Sequence, residues 1–298
     1  MVTFNCGGKI NVVRTWGDYI GVGCSDGWIY LFKGEELLWE NKLSATYYRD
    51  PYNDVGVLSM DICENFIVVG TNFMDGKVYA ISFDGDVLWY KQFLTIVGCW
   101  ERPDDVVAVA IGDDKIAVGT EWVNSYVHQL DFSGNNISTF KVDGYITGIV
   151  FWKDFVIGTD RALYFGRKRE RLNVRGLVPL GNFLVVSSDS GIYTINGGVK
   201  KIYESTPLFA VSRERIILYD KELIALSWDG KILWSCEVER PIKILCDGGI
   251  YLGYSNLVKI VENGEITEEI EVEGVPVELA ENFIVSVRER KLHISKIP

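Results

Sequence analysis

The chain has 298 residues, 48% of them hydrophobic, 13% aromatic and 24% charged, a composition that excludes disorder, collagen and coiled coil. Thirty basic residues against 41 acidic ones leave a net charge of −11, a poor grip for a phosphate backbone, so direct nucleic-acid binding is not expected. The opening Met1-Val-Thr-Phe-Asn5 lacks the pattern of a secretory signal, and no apolar run approaches the roughly 18 residues of a membrane span, so a cytoplasmic protein that does not engage membranes is expected.

Along the chain one short apolar strand recurs, opened by a polar turn and usually carrying Gly or Ser near its end. It appears as Asp18-Tyr-Ile-Gly-Val-Gly-Cys24, Asn65-Phe-Ile-Val-Val-Gly-Thr71, Asp114-Lys-Ile-Ala-Val-Gly-Thr120 and Asp154-Phe-Val-Ile-Gly-Thr159. Later copies are Asn182 to Ser188, Arg215 to Tyr219, Gly249 to Tyr254 and Asn282 to Val287. Phe183, near the head of the fifth copy, is expected to pack between units. A further short apolar strand precedes each copy, from Ile10-Asn-Val-Val13 to Val275-Pro-Val-Glu-Leu279. A second strand and a hairpin follow each copy, clearest at Phe83-Asp-Gly-Asp-Val-Leu-Trp89 and Trp228-Asp-Gly-Lys-Ile-Leu-Trp234. An Asp-Gly pair between alternating apolar residues is the strongest short-range hairpin signal, because both turn positions need positive φ.

Eight copies give about 37 residues each, and four short strands per unit with no helical periodicity predict an all-β, eight-bladed β-propeller. Seven blades is the alternative, because the matching positions 158 and 187 are only 29 residues apart. The eighth unit ends at Pro298 after its third strand, and the unassigned Met1 to Asn5 can supply its fourth. Such a clasp pairs both open sheet edges and makes residues 1–298 one closed domain.

The hairpin pattern Gly-x-Val-Tyr-Ala-x-x-x-Asp-Gly-x-Val-Leu-Trp runs from Gly76 to Trp89, with weaker versions from Leu223 to Trp234 and Gly27 to Trp39. It resembles the repeat of pyrroloquinoline-quinone (PQQ)-type propellers. The resemblance implies an eight-bladed ring like the noncatalytic scaffold members, with Trp39, Trp89 and Trp234 packing across to the next blade. Quinoprotein dehydrogenases of that family are longer, exported, and carry a vicinal disulfide beside the cofactor. Here Cys6, Cys24, Cys63, Cys99, Cys236 and Cys246 are all separated and are expected to be isolated thiols, so neither quinone nor any other cofactor is expected. The scarcity of glutamine (Gln92 and Gln129 alone) hints at a heat-adapted source.

Histidine offers no catalytic or metal set, since His128 and His293 are each expected to be a strand residue with satisfied hydrogen bonds. Loop length is the real asymmetry. Extra residues enter in the crossings Ser44 to Val55 and Thr95 to Asp105 and in the turns Thr71 to Lys77 and Thr120 to Tyr126. In a propeller both loop types emerge on one face. The crossings read Tyr47-Tyr-Arg49-Asp-Pro51-Tyr-Asn-Asp54 and Trp100-Glu-Arg102-Pro103-Asp-Asp105, each with aromatics, an arginine, a proline and a terminal acid. Tyr, Trp and Arg dominate interface hot spots, so Tyr47, Tyr48, Arg49, Tyr52, Phe73, Trp100, Arg102 and Trp122 form the candidate partner-binding patch. Alternatively each arginine pairs with the acid of its own loop.

Asp50, Asp54, Glu101, Asp104 and Asp105 are weak candidates for acid–base work or Ca²⁺ binding, and no metal is expected. The run Arg167-Lys-Arg-Glu-Arg171 reads as a solvated hairpin tip on the plainer face. The sequence thus points to a noncatalytic protein–protein interaction scaffold acting through the loop face of blades one to three. Its partner would be another protein, with a basic surface to suit the acidic charge. A sugar-like small-molecule site, or a hydrolase or lyase centre, at the channel mouth is the alternative.

Overall fold

The structure is a computed structural model that describes residues 1–44, 54–166, 168–212, 214–247 and 249–297. Eight four-stranded antiparallel sheets follow one another around a ring, and the described residues contain no helix. Blade one comprises Ile10–Trp16, Tyr19–Cys24, Trp28–Lys33 and Glu36–Lys42, and blade two Val57–Ile62, Phe66–Thr71, Lys77–Ser82 and Val87–Gln92. A two-stranded hairpin, Leu94–Val97 with Trp100–Pro103, stands between blade two and blade three. Blade three is Asp105–Ile111, Lys115–Glu121, Ser125–Asp131 and Asn136–Val142; blade four is Ile146–Trp152, Asp154–Thr159, Leu163–Phe165 and Lys168–Glu170. Blades five, six and seven begin at Val174, Leu208 and Lys243.

Blade eight is Val275–Ala280, Phe283–Arg288 and Lys291–Lys296, completed by Val2–Asn5 at the outer edge. The clasp pairs Val2 with Ile294 and Asn5 with Lys291, and the inner strands of blades one and eight meet, so the ring closes. The expected count of eight therefore holds. The 29-residue interval arises because the two outer strands of blade four are only three residues long each.

The recurrent glycine has a packing cause. A Cβ on Gly23 would lie 2.4 Å from Val57, one on Gly70 2.4 Å from Val106, and one on Gly158 2.5 Å from Val174. Each of those valines begins, or stands next to the start of, the following blade's inner strand, where a register shift bulges it toward its neighbour. Blade thus rides directly on blade, and the apolar cores lie between adjacent sheets rather than within them.

Side chains reinforce the junctions. Asn11 donates to the Val57 carbonyl at 3.0 Å, the Ser59 hydroxyl to the Val106 carbonyl at 2.8 Å, and the Thr15 hydroxyl to the Leu279 carbonyl at 2.7 Å. At the seam, Thr3 of the clasp shares a 2.9 Å hydrogen bond with the buried His293 Nδ1. Among the described residues His293 Nε2 has no partner, so only one of its two ring nitrogens is satisfied, against expectation. His128 does meet the expectation, with Thr120 and Thr139 hydroxyls at 3.1 and 3.0 Å, and burial holds its pKa down at about 4.

Cys6 and Cys24 are not isolated thiols: they share the core of blades one and eight, and hydrogen bonding to Cys6 pushes the Cys24 thiol up. Phe183 packs between units, stacked at 4.8 Å on Trp228 from the hairpin of blade six, but it is only half-buried; the fully buried residue is its neighbour Leu184.

The long turn of blade two, between Thr71 and Lys77, is anchored by a buried ion pair that the sequence reading missed. Lys77 Nζ lies 2.8 Å from Asp75 Oδ1, with side chains 6% and 0% exposed. The Tyr79 hydroxyl donates to Asp75 Oδ2 at 2.5 Å, and burial drives that phenol's pKa upward. The Thr71 hydroxyl donates to the Lys77 carbonyl at 3.0 Å. Removing one partner of such a pair leaves an uncompensated buried charge, so Asp75→Ala is expected to cost about 3–5 kcal/mol in urea titration, against below about 1 if the loop re-forms around water. Leu184→Ala is expected to cost about 2–5 kcal/mol by the same measurement, because the cavity lies between two blades that cannot collapse independently.

Candidate functional site

In an antiparallel blade, the second-to-third turns and the crossings to the next blade leave the sheet at the same end. The long loops of blades two and three meet there. Asn72 Nδ2 reaches the Asp54 carbonyl at 3.2 Å, and the Phe73 amide donates to Asp105 Oδ1 at 2.7 Å. The crossing from blade two to blade three becomes the Leu94–Pro103 hairpin, closed at its base by the Asp104 amide donating to the Phe93 carbonyl at 3.0 Å. Gly98, at φ 62°, makes its tip.

Arg102 organises the centre. Its guanidinium carbon lies 4.2 Å from the Phe73 ring centroid and 5.0 Å from that of Trp122, so the planar cation sits between two aromatic faces. Among the described residues it has no ion pair, and its buried Nε–H has no acceptor. The neighbouring acids serve the backbone and a hydroxyl instead. Asp105 accepts the Phe73 amide, and Asp104 Oδ2 accepts the Thr95 hydroxyl at 2.9 Å. Burial raises the pKa of both carboxyls, and of Glu121 next door, while Arg102 pulls Asp104 and Asp105 back down. The alternative, a loop-internal arginine–acid pair, is thus not made at Arg102 among the described residues.

Trp100 stands at the hairpin's far end, 75% exposed, opposite Val97; Ile96, on the other face, is 69% exposed. With Leu94 and Val97 also exposed, the hairpin presents an apolar blade to solvent on both sides. Beyond Trp122 a 710 Å³ depression opens between blades three and four, and Lys141, Asp143, Tyr145 and Arg161 line part of it. Asp143 holds Arg161 at 3.4 Å and Arg169 at 2.5 Å.

The structure therefore brings Phe73, Arg102 and Trp122 together, with Trp100 on the same hairpin. Tyr47, Tyr48, Arg49, Asp50 and Tyr52 lie outside the described residues. Asp54 is exposed and Glu101 pairs across the hairpin with Ile96. No group of three or more His, Cys, Asp or Glu side chains among the described residues could hold a metal ion. Most of the basic run is strand rather than hairpin tip: Lys168–Glu170 is the outer strand of blade four, Arg167 lies outside the described residues, and Arg169 reaches the elaborated face through Asp143.

A second charged set lines the ring's interior and was not anticipated. Arg14, Lys243 and Glu278, each in an inner strand, border a 340 Å³ cavity. Burial lowers the Lys243 pKa and raises that of Glu278, and the Lys243 ammonium donates to the Val277 carbonyl. A lone charged residue inside an apolar inner strand was the signal available in the sequence.

No known family pattern and no curated protein matches this sequence. Solved structures do match it in shape. BamB from Moraxella catarrhalis, a PQQ-like repeat propeller, superposes with a TM-score of 0.73 at 14% identity, over 100% of this chain and 99% of that one. The computationally designed Ika8 protein gives 0.68 at 16% identity, over 98% of each chain. A chain of the Mitotic Checkpoint Complex gives 0.60 at 12% identity, over 99% of this chain and 93% of its own. At these identities the shared property is the fold alone, which in this chain is an eight-bladed β-propeller.

Proposed function

We propose that this chain is a single-domain, noncatalytic docking platform of the cytoplasm, and not a quinoprotein dehydrogenase, whose elaborated face binds another protein. One observation carries the reading: a protruding hairpin exposes Trp100 and Ile96 beside a guanidinium clamped between Phe73 and Trp122. A rigid aromatic anchor on a pre-ordered strand loses little entropy on binding, and Trp and Arg are over-represented among residues that dominate interfaces. The partner is a protein with a basic surface, since the chain's net charge is −11 and Asp54, Asp105 and Glu121 lie on this face. A chain of similar fold occurs in the Mitotic Checkpoint Complex, a multiprotein assembly, which supports use of such rings as platforms.

A second reading, a small-molecule site in the channel, rests on the cavity beside Arg14, Lys243 and Glu278. It predicts that Glu278→Gln weakens ligand binding while changes on the hairpin leave it unaltered.

The deciding experiment compares proteins recovered from native lysate by the wild type and by Trp100→Ala and Arg102→Ala, using mass spectrometry. The platform reading expects one protein to be captured by the wild type and reduced at least about tenfold by either substitution. Equal recovery by all three contradicts it.

A further inference from the structure

The repeat carries an internal standard for what fills the gap between blades on the plain face. Trp39, Trp89 and Trp234, each from an outer strand, lie against the hairpin glycine of the next blade. A Cβ added to Gly85, Gly134 or Gly264 would come within 3.2, 2.8 and 3.3 Å of the respective indole. Trp39 and Trp89 also donate Nε1–H to that hairpin, at 2.8 Å to the Phe83 carbonyl and 2.7 Å to the Phe132 carbonyl.

Register fixes the equivalent position elsewhere. Trp39, Trp89 and Trp234 pair with Leu31, Ala80 and Ala225 on the third strand. In blades one and two that partner lies two residues past the residue paired with Gly23 or Gly70. In blade four the same count from the partner of Gly158 reaches Phe165, and Phe165 pairs with Lys168. In blade five it reaches Thr194, paired with Lys200, whose ammonium replaces the indole by donating to the Asp229 carbonyl at 2.9 Å. Lys168 makes no such bridge among the described residues. Among the described residues nothing lies within 4 Å of a Cβ placed on Gly197, the hairpin glycine it faces.

The slot left open is a 410 Å³ groove with Trp152, Phe155, Phe165 and Ile195 in its lining and Lys153 and Lys168 at its rim. Lys153 Nζ lies 4.8 Å from the Trp152 ring and Lys168 Nζ 5.8 Å from the Phe165 ring. The acid in the lining, Asp154, is already held by Lys115 at 3.0 Å and caps the Phe155 amide. Neither rim lysine has an ion pair among the described residues, so the groove is apolar inside and cationic at its mouth, on a chain of net charge −11. That pairing favours an apolar ring flanked by negative charge.

We propose that this groove is a docking slot for an aromatic side chain, tryptophan above all, carried on an acidic segment of a partner protein. The partner supplies in trans the indole that blades one, two and six supply in cis. The slot is on the face opposite the Trp100 hairpin, so it stands or falls independently of the platform reading.

The probe is a synthetic Asp-Glu-Trp-Glu-Asp peptide bearing 5-fluorotryptophan, titrated with the intact protein and observed by fluorine NMR. Saturable binding is expected, with an Ala-for-Trp peptide failing to compete. Lys168→Trp restores the internal indole; it is expected to weaken binding at least about tenfold and to raise Tm. A Lys153→Glu, Lys168→Glu double variant, changed only at exposed sites, is expected to weaken binding about fivefold or more while leaving the slot intact. The proposal is overturned if the wild type shows no saturable binding at millimolar peptide. It is equally overturned if Lys168→Trp or the double variant binds as the wild type does, if the Ala peptide competes, or if Lys168→Trp lowers Tm.

Discussion

A sheet whose two faces are both apolar can bury neither by itself, and every other feature of this molecule follows from that constraint. Each blade leans its second strand on the inner strand of the next, so closely that Gly23, Gly70 and Gly158 have no room for a side chain. An open row of such blades would leave an apolar face and an unpaired edge at each end. The ring removes both. Val2–Asn5 completes the last blade, while Cys6, directly after it, enters the core of the first. The seam is thus a strand pairing backed by a shared apolar core, and Thr3 adds a hydrogen bond to a histidine buried within it.

The ring was legible because its physics is repetitive. A Gly or Ser at one place in most copies, an Asp-Gly or Asn-Gly turn after it in several, and an apolar strand before it follow from one packing geometry imposed repeatedly. The position of Trp39 and Trp89 was legible for the same reason. What the sequence hid were interactions that occur once. Nothing in the spacing of Asp75, Lys77 and Tyr79 distinguishes a buried ion pair from a solvated turn, because burial depends on the neighbouring loop. The clamp of Arg102 between Phe73 and Trp122 joins three separate loops, and its residue types were visible though its geometry was not. Phe183 differs from expectation only in degree of burial: at the start of its strand it meets Trp228 of the next blade yet stays half-exposed, and full burial falls one position on, at Leu184.

In a repeat protein, function is most readable where the repeat breaks. The two faces break it in different ways. On one, added residues build the Leu94–Pro103 hairpin and order it with backbone caps from Asp104 and Asp105. On the other, a subtraction occurs: blade four shortens its outer strands to three residues and puts Lys168 where blades one, two and six carry an indole. The first departure gives a protruding anchor, the second a recess of the kind an anchor fills. Both sit on a scaffold with little freedom to deform, so neither surface need be ordered anew by its ligand.

Native-state amide exchange at the extreme N-terminus tests most directly whether the toroid is sealed by its first residues. Sealing predicts that the hydrogen-bonded amides between Val2 and Asn5 exchange as slowly as those of Ile10–Trp16, and that both sets speed up together as denaturant is added. Exchange at the rate of a free terminus, with the rest of the ring still protected, would contradict that account.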